Sequence, residues 1–276
     1  MSDDHMGDEV KFEVVADGYQ LVEGPRVDAD GNVWFTDVLG GGVHRWRASS
    51  GDVETVVPKR RGVGGLALHA DGGVVVSGRD ITHVQPDGTN RLLFAAPEGV
   101  TGFNDISATS DGTILAGGLR FRPFAGDDVV PGAFWHITAP EVATIVLEDV
   151  AWPNGVGDDG STWRFCDYQR GTVTVMDRGA GPDRRVLDTP SGEADGMAFD
   201  DDDGMWVAQP RSHSLVRFTP AGDVDRTISL AGQQPASVAF GGDAMYVATI
   251  ASDTASGALL RVEAGVTGPR HHTATI

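Results

Sequence analysis

The sequence predicts an all-β protein built as a six-bladed β-propeller. Three observations carry this. A pattern recurs six times at intervals of about 40 residues. Each copy alternates apolar and polar residues over short runs, as half-buried strands do. No stretch carries a convincing amphipathic helical pattern.

The copies follow in order along the 276 residues. The first runs from Gly24 to Trp46 (GPRVDADGNVWFTDVLGGGVHRW) and the second from Gly65 to Val84. The third begins at Asn104 with NDISATSDGTILAGGLRF and closes with GAFWHI, after an insertion at 119–133. The fourth starts at Asn154, the fifth at Asp195, and the sixth at Ser237, which closes with GALLRV. Asp-Gly pairs such as Asp30-Gly31, Asp71-Gly72 and Asp111-Gly112 split the runs, because Gly accepts a positive φ without steric cost. A fourth run follows most copies: VETVV, RLLFA, ATIVL and DRTISL. Four strands per unit, repeated radially, make a propeller. Phe12 to Val15 are expected to close the ring by joining the last blade. The expected organisation is a flexible N-terminus over 1–11, one propeller domain over 12–265 and a C-terminal tail over 266–276. The tail holds His271 and His272, read as no site.

Composition narrows the function. Lys and Arg total 21 against 40 Asp and Glu, a formal net charge of -19. A nucleic-acid surface needs clustered cations, yet the only lysines are Lys11 and Lys59. The single basic run is Lys59, Arg60, Arg61. No apolar run approaches the roughly 20 residues that span a bilayer, and the acidic start MSDDHMGDEV has no apolar leader. The expectation is a soluble cytoplasmic protein with a small-molecule substrate and neither nucleic acid nor membrane as partner. Oligomeric state is left open. Cys166 is the only cysteine, which excludes a disulfide framework and paired-cysteine metal motifs. It reads as a small core residue.

Aligning the repeat starts places one residue of each unit at the mouth of the central channel. Four of these carry side-chain oxygen: Glu23, Asn104, Asn154 and Asp195. Units two and six offer Val63 or Gly64, and Ala236. Two carboxylates crowded at one spot repel unless a cation lies between them. Two amide carbonyls add hard oxygen donors without further charge. An all-oxygen set favours Ca²⁺, with Mg²⁺ or Mn²⁺ behind it and Zn²⁺ still possible.

On these residues the sequence resembles the senescence-marker-protein/gluconolactonase family of six-bladed propellers. The matching pieces are VEGP with Glu23, FND with Asn104 and Asp105, PNG with Asn154, and ADGM with Asp195. They span about Val22 to Val262. The resemblance implies that Glu23, Asn154 and Asp195 are ligands of a divalent metal, and that Asn104 joins them or contacts substrate. The set also resembles the calcium site of diisopropylfluorophosphatases, which share the fold.

The sequence also departs from that pattern. Many sugar-lactonase members carry an Arg two residues before the Asn of FND, where this chain has Gly102. Leu119 stands where an acidic or hydroxyl residue is expected. Arg120 or Arg122, on the insertion, are candidate replacements for the missing Arg. Phe103, Phe121, Phe124, Trp135 and Trp152 fall on segments near the mouth, which points to a substrate less polar than a sugar lactone. His83, His136 and His213 are weaker candidates for a base, and no GxSxG nucleophile elbow is present. Asp37 and Asp167, closing FTD and FCD, either orient the ligand shell or brace their blades.

The expected function is therefore a metal-dependent hydrolase that opens a lactone or related ester. Asp195 would be ligand and general base, and Asn104 would orient substrate. Two alternatives stay open: a specialised lyase, cyclase or phosphotriesterase-like enzyme on the same propeller, and a noncatalytic metal-binding propeller.

Overall fold

The computed structural model describes residues 8–178 and 183–276. They form six sheets, each antiparallel within its blade, arranged as a six-bladed propeller. Blade one comprises Val22–Val27, Val33–Asp37, Val43–Trp46 and Val53–Val57. Blade three is built from Gly102–Ala108, Ile114–Leu119, Gly132–Ala139 and Val142–Val150. Blades two, four and five follow the same order from inside out, with inner strands Leu66–Leu68, Pro153–Asp158 and Met197–Phe199. The fourth strand of blade four, Arg185–Asp188, is short and largely exposed, and its sequence carries no strand signal.

The ring closes as expected. Phe12–Tyr19 pairs antiparallel with Gly257–Val262, so blade six takes its outer strand from the other end of the chain. Of the segment expected to be flexible, residues 1–7 lie outside the described residues, while Asp8–Glu9 runs parallel to Val224–Ser229 on the edge of blade five. Residues after 265, read as a tail, are fastened across the end of the propeller opposite the four candidate donors. Asp201 donates to the Thr267 carbonyl, Ala274 to Leu68, and Thr275 to Gly112, tying blades five, two and three together. These are main-chain bonds made by small residues, so no side-chain periodicity announces them.

The core lies between neighbouring blades. Trp206, Leu215 and Ile228 of blade five pack with Val238, Phe240, Val247 and Leu260 of blade six, all without solvent exposure. Each such side chain contributes about 1.5–3 kcal/mol on burial. Trp206 keeps its polar edge satisfied by donating from Nε1 to Asp200 at 2.8 Å. Cys166 is a buried free thiol in the strand Thr162–Asp167. Around the axis the inner strands approach so closely that side chains do not fit. A Cβ at Gly64 would overlap the Asn104 carboxamide oxygen, and one at Gly65 would overlap Asp105. Among the described residues no helix is long and apolar enough to cross a membrane.

Candidate metal centre and substrate cavity

The inner strands of blades one, three and four share a local irregularity beside the candidate donors. Pairing with the second strand shifts register between Glu23 and Arg26 in blade one, between Phe103 and Ile106 in blade three, and between Pro153 and Val156 in blade four. A bulge bends the strand and re-aims the residue beside it. Here the re-aimed residues are Glu23, Asn104 and Asn154. Asp195 precedes its strand and is held by main-chain bonds, with its N–H donating to Ala208 at 3.0 Å. The predicted four thus line one cavity of about 190 Å³ at the channel mouth. The alignment of repeat starts foresaw this meeting but not the bulges that produce it.

Three of the four present an oxygen that is buried and has no hydrogen-bond partner: Glu23 Oε2, Asn154 Oδ1 and Asp195 Oδ1. Asn104 is less enclosed, and its Nδ2 donates to the Pro153 carbonyl at 3.0 Å. That bond commits the amide's donor to the protein and leaves its oxygen for the cavity. Burial pushes Glu23 well above the usual carboxylate range, with the charges of Asp195 and Asp105 adding to it and Arg26 opposing. Asp195 is raised well above that range too, by burial first, then by Asp105 and Glu193, against bonds from Asn154 and the Gly196 N–H. A buried unpaired oxygen is costly, and two carboxylates that resist sharing a site ionised call for positive charge between them. A divalent cation fits this set. It would be bound by oxygen alone, and two carboxylates match its charge.

The rest of the cavity is apolar. Leu21, Val38, Phe103, Leu119, Phe124 and Trp152 line it, with Tyr168 at the side of Asp195. Phe124 is 62% exposed at the rim, although it belongs to the insertion that borders the cavity. Phe121 stands behind this wall, edge-on to Trp152 with ring centroids 5.4 Å apart. Trp135 does not reach the cavity. It borders a separate hollow on blade three, together with Arg120. Arg122 is folded back on its own loop, paired with Asp127 at 2.9 Å. Neither arginine therefore enters the site in place of the one absent at Gly102. There a side chain is excluded, because a Cβ would lie 2.9 Å from the Gly78 carbonyl oxygen.

The candidate histidines sit elsewhere. His83 bonds the Gly72 carbonyl at 2.8 Å, His136 the Thr113 hydroxyl at 2.7 Å, and His213 the Gln233 carbonyl at 2.7 Å. Asp37 and Asp167 prove to be matched devices. Asp37 accepts from the N–H groups of Gln20 and Leu21, and Asp167 from those of Ala151 and Trp152. Each therefore fixes the chain just before a donor, Glu23 or Asn154. Tyr168 belongs to no repeat motif in the sequence. Its one signal is its place directly after Asp167, where the second strand ends beside the cavity.

Residues 21–252 match the family model described as the SMP-30/gluconolactonase/LRE-like region. The pentonolactonase XacC of Haloferax volcanii is 26% identical, over 92% of this chain and 94% of its own. The L-arabinolactonase of Azospirillum brasilense is 27% identical, over 79% of this chain and 76% of its own. The solved structure of a calcium-binding protein, regucalcin, from Agrobacterium tumefaciens superposes with a TM-score of 0.85 at 18% identity, covering 97% of this chain and 98% of that one.

Proposed function

The chain belongs to the SMP-30/gluconolactonase/LRE-like family, and from that premise we propose that it is a metal-dependent lactonase whose substrate is less polar than a sugar lactone. Lactone hydrolysis is supported by relatives named as lactonases along most of their length. The observation that carries metal dependence is the trio of buried, partnerless oxygens on Glu23, Asn154 and Asp195. With Asn104 they would hold one divalent cation, and Ca²⁺ suits the donor set best. Such a cation supplies Lewis acidity to a substrate carbonyl and offsets the charge that develops on its oxygen.

The chain's own groups do the rest. Asn104, anchored through Nδ2 to Pro153, orients the lactone. Asp195, which lines the cavity, acts as general base toward the attacking water through the carboxylate oxygen not given to the cation. The walls of Leu21, Val38, Phe103, Leu119 and Trp152 offer no hydroxyl or carboxylate to satisfy a polyol. Apart from the Trp152 Nε1–H and the Tyr168 hydroxyl, nothing there replaces the hydrogen bonds that sugar hydroxyls would give up on leaving water. An alkyl- or aryl-substituted lactone loses nothing by entering. The test is hydrolysis of a lactone panel before and after complete chelation. Activity abolished by the chelator and restored by a divalent cation supports the reading; full activity after metal removal overturns it.

A further inference from the structure

Opening a lactone requires more than a base. When the ring acyl–oxygen bond breaks, its electron pair leaves on an alkoxide, a poor leaving group unless it is protonated as it departs. Among the described residues lining the cavity only one side chain carries a hydroxyl, that of Tyr168. The amide donor of Asn104 is already committed to Pro153.

Tyr168 is fixed from several sides. Its N–H donates to the Trp152 carbonyl at 3.0 Å, and its ring stands edge-on to that of Trp152 with centroids 4.9 Å apart. The Arg211 guanidinium lies over the ring, with Cζ 5.7 Å from its centroid. Arg211 is itself placed by Glu193, which accepts its backbone N–H at 2.9 Å and faces its Nε at 3.9 Å. Glu193 lies two residues before Asp195, so one loop sets both the base and the cation beside the phenol. A guanidinium has only donors to offer a phenol oxygen. Whatever it gives to that oxygen leaves the phenol's own proton free for another acceptor.

We propose that Tyr168 is the general acid of the ring opening, with Arg211 as its positioning residue. The proposal rests on the lactonase reading. The water oxygen bonds to the carbonyl carbon while Asp195 takes one of its protons. The ring C–O bond then breaks, and the departing oxygen takes the phenolic proton of Tyr168. Arg211 lies beside the phenolate so formed, which regains a proton from solvent at the open mouth. The new carboxylic acid and Asp195 each release a proton. One water is consumed, and one hydroxycarboxylate and one proton emerge.

The experiment compares Tyr168→Phe with wild type on two lactones, one leaving as an aliphatic alkoxide and one as a phenoxide. A phenoxide needs no acid. The variant should lose about 100-fold in kcat on the aliphatic lactone, with KM nearly unchanged, and less than about threefold on the aryl lactone. Arg211→Met should show the same selectivity at about tenfold. Cation binding, followed calorimetrically with Ca²⁺, should be unchanged in both, which separates this role from a collapsed site. Equal losses on the two lactones, no loss on either, or lost cation binding overturns the proposal while leaving the lactonase reading intact. A wild type that opens neither lactone overturns both.

Discussion

The Arg26 guanidinium lies 3.6 Å from the Asp105 carboxylate, and both side chains are shut off from solvent. Arg26 is three residues along the same strand from Glu23, and it also donates to the carbonyls of Pro25 and Ile106 at 2.8 Å each. The buried carboxylates that act on one another are thus four, Glu23, Asp105, Asp195 and Glu193, opposed by two guanidinium groups, Arg26 here and Arg211 beside Glu193. Two negative charges remain over, the complement of one divalent cation.

Removing the Arg26 guanidinium would leave Glu23, Asp105 and Asp195 unopposed. Arg26→Met is therefore expected to destabilise the protein by about 3–5 kcal/mol. A denaturant titration with chelator present reads this as a shift of the midpoint at unchanged slope.

The same charges set a pH dependence. Burial, opposed by Arg26, raises Asp105 to about 6, and burial likewise raises Glu23 and Asp195 well above the usual carboxylate range. Groups whose folded pKa lies above the unfolded one bind more protons in the folded state. Their stabilisation is present at acid pH and is lost as pH rises through the folded pKa. The melting temperature of chelated protein should therefore fall as pH rises from about 5 to about 8. Calcium competes with those protons, so saturating Ca²⁺ should remove or reverse the fall, and apparent Ca²⁺ affinity should weaken toward acid.

Asp167 accepts from the N–H groups of Ala151 and Trp152 and takes an ion pair from Arg170 at 3.2 Å. It is not itself among the residues that line the cavity. Its role is to fix the chain that presents Asn154, and partners of this kind affect metal affinity by about 10–100-fold. Asp167→Ala should weaken Ca²⁺ binding in that range, whereas Asp127→Ala, which frees only Arg122 on the insertion, should leave it unchanged.

The apolar walls make a claim about selectivity. Phe124 stands exposed at the rim, pairs with no other ring among the described residues, and borders the cavity. Phe124→Ala should lower kcat/KM about tenfold for a lactone with a long alkyl substituent and leave an unsubstituted ring nearly unaffected. Steady-state kinetics on a chain-length series measures this directly.

Much of this was legible in the sequence, for a physical reason. A repeat fold writes its geometry many times, so six copies fix both the architecture and the shared position of Glu23, Asn104, Asn154 and Asp195. What could not be read was whatever is not repeated. The segment after 265 is held by main-chain bonds at Thr267, Ala274 and Thr275, which leave no mark on side-chain pattern. The strand bulges beside the donors are likewise a property of pairing, not of any one residue. Tyr168 and Arg211 come from different blades and meet only through folding. Arg120 and Arg122, adjacent to each other on the insertion, point the other way: nearness along the chain suggested the mouth, and the fold put both elsewhere.

Calorimetric titration of chelator-stripped protein with Ca²⁺ tests the central claim most directly. Wild type should bind a single cation per chain, and Glu23→Gln and Asp195→Asn should each abolish that binding while the fold is kept. Absence of binding in wild type, or binding undiminished in both variants, would contradict the account.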